Sequence, residues 1–164
     1  MVTAAYLYLA AISIGLALID IDTHRLPNSI VLPGYIVIPV LFAAACVLGA
    51  EWGSLLRAAI GGVALYGFYF VLRLVRPAGM GGGDVKLAGV LGVSLAWLGW
   101  GALAVGAFAA FLLGGIFGLS LIAARRAGRK TAIPFGPFML AGAWVGIIAG
   151  ETLAGWYVGL FAVA

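Results

Sequence analysis

The sequence predicts an all-α, polytopic membrane protein of about six transmembrane helices, a single membrane-embedded domain over residues 1–164 with its N-terminus outside. Three observations lead there. Of 164 residues, 65% are hydrophobic and 9% charged, with a mean hydropathy of +1.23, and a soluble monomer of this size needs a largely polar exterior. The apolar runs are continuous and lack period-2 alternation, which selects spanning helices over a barrel. The basic residues sort to one side: Arg25, Arg73, Arg76, Lys86, Arg125, Arg126, Arg129 and Lys130 fall in or beside the stretches after spans 1, 3 and 5, and only Arg57 falls near the other face. The positive-inside rule puts the basic face in the cytoplasm. The net charge of +4 therefore marks orientation, and no nucleic-acid partner is expected; the bilayer is.

Span 1 is expected from about Val2 to Ile19. It has no basic n-region and ends in Asp20-Ile21-Asp22 rather than a small-residue cleavage site, so it reads as a retained helix and not a secretory signal. In the polar stretch that follows, Pro27 disfavours helix at Leu26, and Asn28-Ser29 offers a cap to span 2. Span 2, about Ile30 to Gly49, carries Pro33 and Pro39, which should bend or break it. Its Cys46, alone of its kind, excludes an internal disulfide and reads as a small core residue. After an outer turn over Ala50 to Gly53, span 3 runs from about Ser54 to Val75.

The apolar residues from Asp84 to Ala124 are twice what one crossing needs at ~1.5 Å rise per residue. They divide near Trp97 to Gly101, with Trp97 and Trp100 expected as outer-interface anchors. Ile133-Pro134-Phe135-Gly136-Pro137-Phe138 leads into span 6, which should finish near Trp156 and Tyr157. Glu151 in that run suggests the outer interface and an earlier helix end. Small residues four apart, such as Ala88/Gly92 and Gly114/Gly118, predict close helix packing.

The stretch that organises the chain is Gly79-Met80-Gly81-Gly82-Gly83-Asp84-Val85-Lys86. Four glycines in five positions cost backbone entropy; what they permit is close approach of another peptide. Asp84 follows directly, and an acid at a membrane edge marks a functional site. Asp20 ends span 1 at the same face, and three crossings bring it to the level of Asp84. Two carboxylates at one level can share a proton, because neighbouring like charges resist ionising together. The ionised member activates water while the protonated member polarises the scissile carbonyl. This aspartic-protease chemistry needs no metal and no cofactor, in keeping with one histidine, His24, and one cysteine. Asp20 lies at a helix C-terminus, whose dipole opposes negative charge, and Asp84 at an N-terminus, whose dipole favours it, so Asp20 is expected to hold the shared proton more often. Asp22, His24 and Arg25 read as loop and orientation residues.

These residues resemble the type IV prepilin peptidases, of the bacterial GxGD intramembrane aspartyl protease group. Asp20-Ile21-Asp22-Thr23-His24-Arg25-Leu26-Pro27-Asn28 after an apolar helix looks like the family's first catalytic segment. Gly81-Gly82-Gly83-Asp84 matches G-x-G-D, Lys86 and Leu87 fit its continuation, and Ile133 to Phe138 is similar to a further segment of bacterial members. The resemblance spans essentially the whole chain. It implies an aspartic endopeptidase of the bacterial inner membrane that removes the basic leader of type IV prepilins or pseudopilins, on the cytoplasmic side just after a glycine. It implies Asp20 and Asp84 as the catalytic pair. Gly81, Gly82, Gly83, Lys86, Pro134, Phe135, Gly136 and Pro137 are the expected substrate-binding residues. The N-terminal cysteine-paired domain associated with N-methylation has no counterpart in this sequence, which makes methyl transfer doubtful. The presenilin branch uses Tyr-Asp and Pro-Ala-Leu motifs that do not stand here. The rival reading is a small ion-coupled transporter or channel using Asp20 and Asp84; it predicts acids at the bilayer midplane rather than at its edge.

Overall fold

The computed structural model describes residues 1–77, 80–124 and 134–162. Arg125, Arg126, Arg129, Lys130, Ile133 and Gly79 lie outside the described residues. Among the described residues six helices follow one another: α1 (Val2–Thr23), α2 (Asn28–Val47), α3 (Trp52–Val75), α4 (Gly82–Leu98), α5 (Trp100–Ala123) and α6 (Gly136–Ala162). Five are long and apolar enough to cross a membrane. The exception is α4, whose 17 residues give ~26 Å, short of the ~30 Å hydrocarbon core.

Its surroundings explain how α4 can be short. Twelve of its 17 residues are buried, Asp84 among them, and α2, α3, α5 and α6 all pack on it. The other helices enclose it and turn Leu, Ile, Val and Phe side chains outward, as a bilayer solvent favours. α3 packs most closely on α4 and α5 on α6, through glycine. A Cβ on Gly92 would lie 2.5 Å from the Gly61 carbonyl oxygen. On α6, Gly142, Gly146 and Gly150 lie against Ala110, Gly106 and Ala102 of α5. The four-residue spacing of small residues is thus a packing device, strongest at the α5–α6 seam.

Several expectations need correction. α1 extends to Thr23, so Asp20 lies inside it, one turn from its end. Asn28-Ser29 does not cap α2: Pro27 is the N-cap residue, no side chain bonds there, and Asn28 Oδ1 instead accepts from Lys86 Nζ at 2.9 Å. Pro33 and Pro39 stand inside a continuous helix. Trp97 is buried and stacks on Phe42, with ring centroids 4.1 Å apart, and only Trp100 is exposed.

α6 does not stop before Glu151 but runs through it to Ala162. Glu151 Oε1 accepts from the Ala102 N–H at 2.8 Å, in the first turn of α5, whose donors have no partner within their own helix. Arg57 does the converse for α4. Its Nε donates to the Ala96 carbonyl and its Nη2 to the Trp97 carbonyl, both at 2.7 Å.

Candidate active site

Both candidate carboxylates are buried, Asp20 at 4% and Asp84 at 8% exposure, and both line one cavity of about 250 Å³. Its remaining walls are His24, Arg25 and Leu26 after α1, and Gly81, Gly82 and Gly83 at the start of α4. His24 takes a left-handed conformation, φ 53°, with its N–H on the Asp20 carbonyl at 2.9 Å. That turn ends α1 and sends Arg25 and Leu26 along the cavity. Asp22, two residues from Asp20 and so rotated ~200° around the helix, is exposed and outside the cavity.

Each carboxylate is anchored by one oxygen to a helix N-terminus. Asp84 sits at the third position of α4, and its Oδ2 accepts the N–H of the N-cap residue Gly81 at 3.0 Å, half of a capping box made within one turn. Asp20 Oδ2 accepts the N–H of Gly136, the first residue of α6, also at 3.0 Å. The dipole contrast expected from sequence is therefore offset. Asp20 does lie near the C-terminal end of α1, but it also faces the positive end of α6.

The glycines are small because the protein itself crowds them. A Cβ on Gly83 would lie 2.7 Å from Leu26 Cβ, one on Gly82 2.8 Å from Arg73 Nη1, and one on Gly136 2.6 Å from Asp20 Oδ2. Of the residues expected to bind substrate, Gly81, Gly82 and Gly83 face the cavity; Lys86, Pro134, Phe135, Gly136 and Pro137 are not among its walls. Gly136 acts on it through Asp20. Phe135 packs against Tyr69 and Phe111, with centroids 6.2 and 5.3 Å away. Lys86 reaches Asn28, and its carbonyl accepts from the Tyr35 hydroxyl at 2.6 Å.

Leu26, Arg73 and Tyr35 are the participants that sequence reasoning missed. Tyr35 gave one signal, a phenol inside an apolar run that needs a polar partner. Leu26 stood in the segment that resembles the family and Arg73 among the orientation charges, but nothing in the sequence paired either with a glycine. His24 and Arg25, read as loop and orientation residues, are cavity walls.

Fold and site together define a polytopic α-helical membrane protein whose two buried acids, 64 residues apart in sequence, open into one cavity. The chain belongs to the type IV leader peptidase family, whose profile matches residues 7–119, a range that includes Asp20, Asp84 and the glycines between. Among similar proteins, a prepilin leader peptidase/N-methyltransferase of Aeromonas salmonicida (strain A449) is 34% identical, the match covering 95% of this chain and 53% of that protein. Proteins of the same name from Stutzerimonas stutzeri and Burkholderia pseudomallei (strain 1026b) are 33% and 37% identical, over 88% and 82% of this chain and 49% and 42% of their own lengths. The chain thus spans about half the length of the curated relatives it matches. No solved structure matches it significantly.

Proposed function

We propose that this chain is an aspartic endopeptidase that cleaves the leader of type IV prepilins or pseudopilins at the cytoplasmic face of the bacterial inner membrane, with Asp20 and Asp84 as the catalytic pair. One observation carries the reading: two buried carboxylates from distant parts of the sequence open into a single cavity beside a bare glycine backbone. The similarity to proteins named as prepilin leader peptidases supports the substrate class. The second activity in their name, methyl transfer, is left with those proteins.

In the proposed reaction the ionised carboxylate takes a proton from water as the water oxygen bonds to the scissile carbonyl carbon. The protonated carboxyl donates to the carbonyl oxygen, which carries the developing charge. Collapse of the tetrahedral species breaks the C–N bond: the amine nitrogen leaves with the proton first taken from water, and a hydroxyl of the tetrahedral carbon returns its proton to the carboxylate that had donated, as the new carboxyl group forms. The dyad starts and ends with one proton between two acids. The anchoring amides of Gly81 and Gly136 orient both groups before substrate arrives, and fixed donors cost no reorganisation during the reaction. Since each acid has its own helix N-terminus, the proton belongs to the pair rather than to Asp20 alone.

The test is leader removal from a co-expressed prepilin, read as a gel shift. Asp20→Asn and Asp84→Asn keep size and polarity but cannot exchange the catalytic proton, and each is expected to abolish the shift. Asp22→Asn should leave it intact. Normal cleavage by all three variants would sink the dyad.

A further inference from the structure

A second concavity, about 500 Å³, opens on the flank of the bundle between α1 and α6. Ala10, Ser13, Ile14 and Ala17 form one wall, and Pro137, Leu140, Ala141 and Trp144 the other. Three features set it apart from an ordinary lipid-facing seam. First, it lies next to the candidate active site. Ser13 and Asp20 are seven residues apart on α1, two turns on one face, and Pro137 adjoins Gly136, whose N–H holds Asp20. The Gly136–Asp20 hydrogen bond thus stands between groove and cavity.

Second, three alanines lie among the larger Ile14, Leu140 and Trp144 of its lining. Alanine at positions 10, 17 and 141 lets another backbone come close, as at the small-residue faces where membrane helices associate. Third, its polar groups have partners of their own. Ser13 Oγ donates to the Leu9 carbonyl at 2.7 Å and accepts from Trp144 Nε1 at 3.3 Å. A wholly apolar occupant thus leaves neither group unsatisfied in the hydrocarbon.

We propose that this groove seats the apolar helix of a membrane-anchored substrate, so that the peptide at the helix's polar end enters the cavity at Asp20. The proposal rests on the peptidase reading above and adds where the substrate is held and what is recognised. Specificity then resides partly in the α1–α6 groove, well away from the scissile bond, and binding there orients the peptide toward the dyad.

The experiment uses the full chain in proteoliposomes with two substrates, an intact membrane-anchored prepilin and a soluble peptide that carries the leader junction without the helix. Ala141→Trp fills the groove. It should raise KM for the anchored substrate about tenfold, equivalent to ~1.4 kcal/mol, and leave soluble-peptide cleavage unchanged. Val63→Trp, on the outward face of α3 at 75% exposure, should alter neither. An unchanged KM in Ala141→Trp overturns the groove while leaving the peptidase standing, and so does equal loss on both substrates. Failure of wild type to cut either substrate overturns the peptidase reading and the groove with it.

A milder variant reads the contact directly. In a Cys46→Ala, Asp84→Asn background, Ala141→Cys should form a disulfide with a single cysteine on the substrate's helix, and Val63→Cys should not. Equal cross-linking from both positions means that the groove holds lipid, and the proposal falls.

Discussion

Gly82 and Gly83 stand side by side in the first turn of α4, yet their substitution should differ. A methyl on Gly83 meets Leu26 Cβ at 2.7 Å, with the Leu26 backbone close behind, so relief requires moving the chain that walls the cavity. A methyl on Gly82 meets the far end of Arg73, a long side chain that can swing aside. Gly83→Ala should therefore cost roughly 1–3 kcal/mol as overpacking and cut leader processing severely, with Gly82→Ala close to wild type. Leu26→Ala added to Gly83→Ala should restore much of the loss, because the two changes share one contact. Gel-shift assays of the two single variants and the double decide it: no rescue would mean that Gly83 is glycine for some other reason. The sequence announced that something must approach these glycines. It could not announce that Leu26 is what approaches, since that contact joins residues far apart along the chain and leaves no periodic trace. The acids were legible because a carboxylate is rare in this composition and both fall at one membrane level; their anchors were not, since backbone amides are the same at every residue. Gly136 is the case in point, read as a substrate contact and found as the donor that holds Asp20.

Among the elements, α4 depends most on its neighbours. Its first turn holds Asp84, and its last carbonyls, at Ala96, Trp97 and Leu98, accept from Arg57 of α3. Terminal carbonyls of a helix lack partners in their own helix, and a charged donor serves them better than a neutral one. Arg57→Ala should destabilise the protein by about 1.5–3 kcal/mol, the range for bonds to charged groups, measured as reversible unfolding in mixed micelles. A loss below ~0.5 kcal/mol, within the scatter of ordinary surface changes, would show that water serves these carbonyls equally well. Glu151 performs the reciprocal task for α5, so Glu151→Gln, which keeps an acceptor oxygen, should be milder than Glu151→Ala in the same assay. The sequence showed both residues as charges out of place, one lone arginine on the outer side and one glutamate in an apolar run. Helix order and approximate ends were legible from the apolar run lengths. These caps were not, because any backbone carbonyl or amide could have been the partner.

At the scale of the whole molecule, charge placement carries an orientation that the helices alone do not. The end bearing the dyad carries Arg25, Arg73, Arg76 and Lys86, and the opposite end carries Glu51, Glu151 and Arg57. Arg57 keeps its full charge while its guanidinium donates to the α4 carbonyls, so four basic residues at one end face one at the other, with two acids beside it. The asymmetry that sets topology therefore favours the cytoplasmic cavity that we propose. Cysteine accessibility in intact cells tests this. In a Cys46→Ala background, Trp52→Cys, at 61% exposure before α3, should react with a membrane-impermeant maleimide added outside. Asp22→Cys, exposed beside the cavity, should react only after permeabilisation. The opposite pattern would put the dyad on the outer face, where an N-terminal leader retained in the cytoplasm could not reach it. Cleavage would then have to act on exported chains, and the groove between α1 and α6 would receive a helix of reversed orientation.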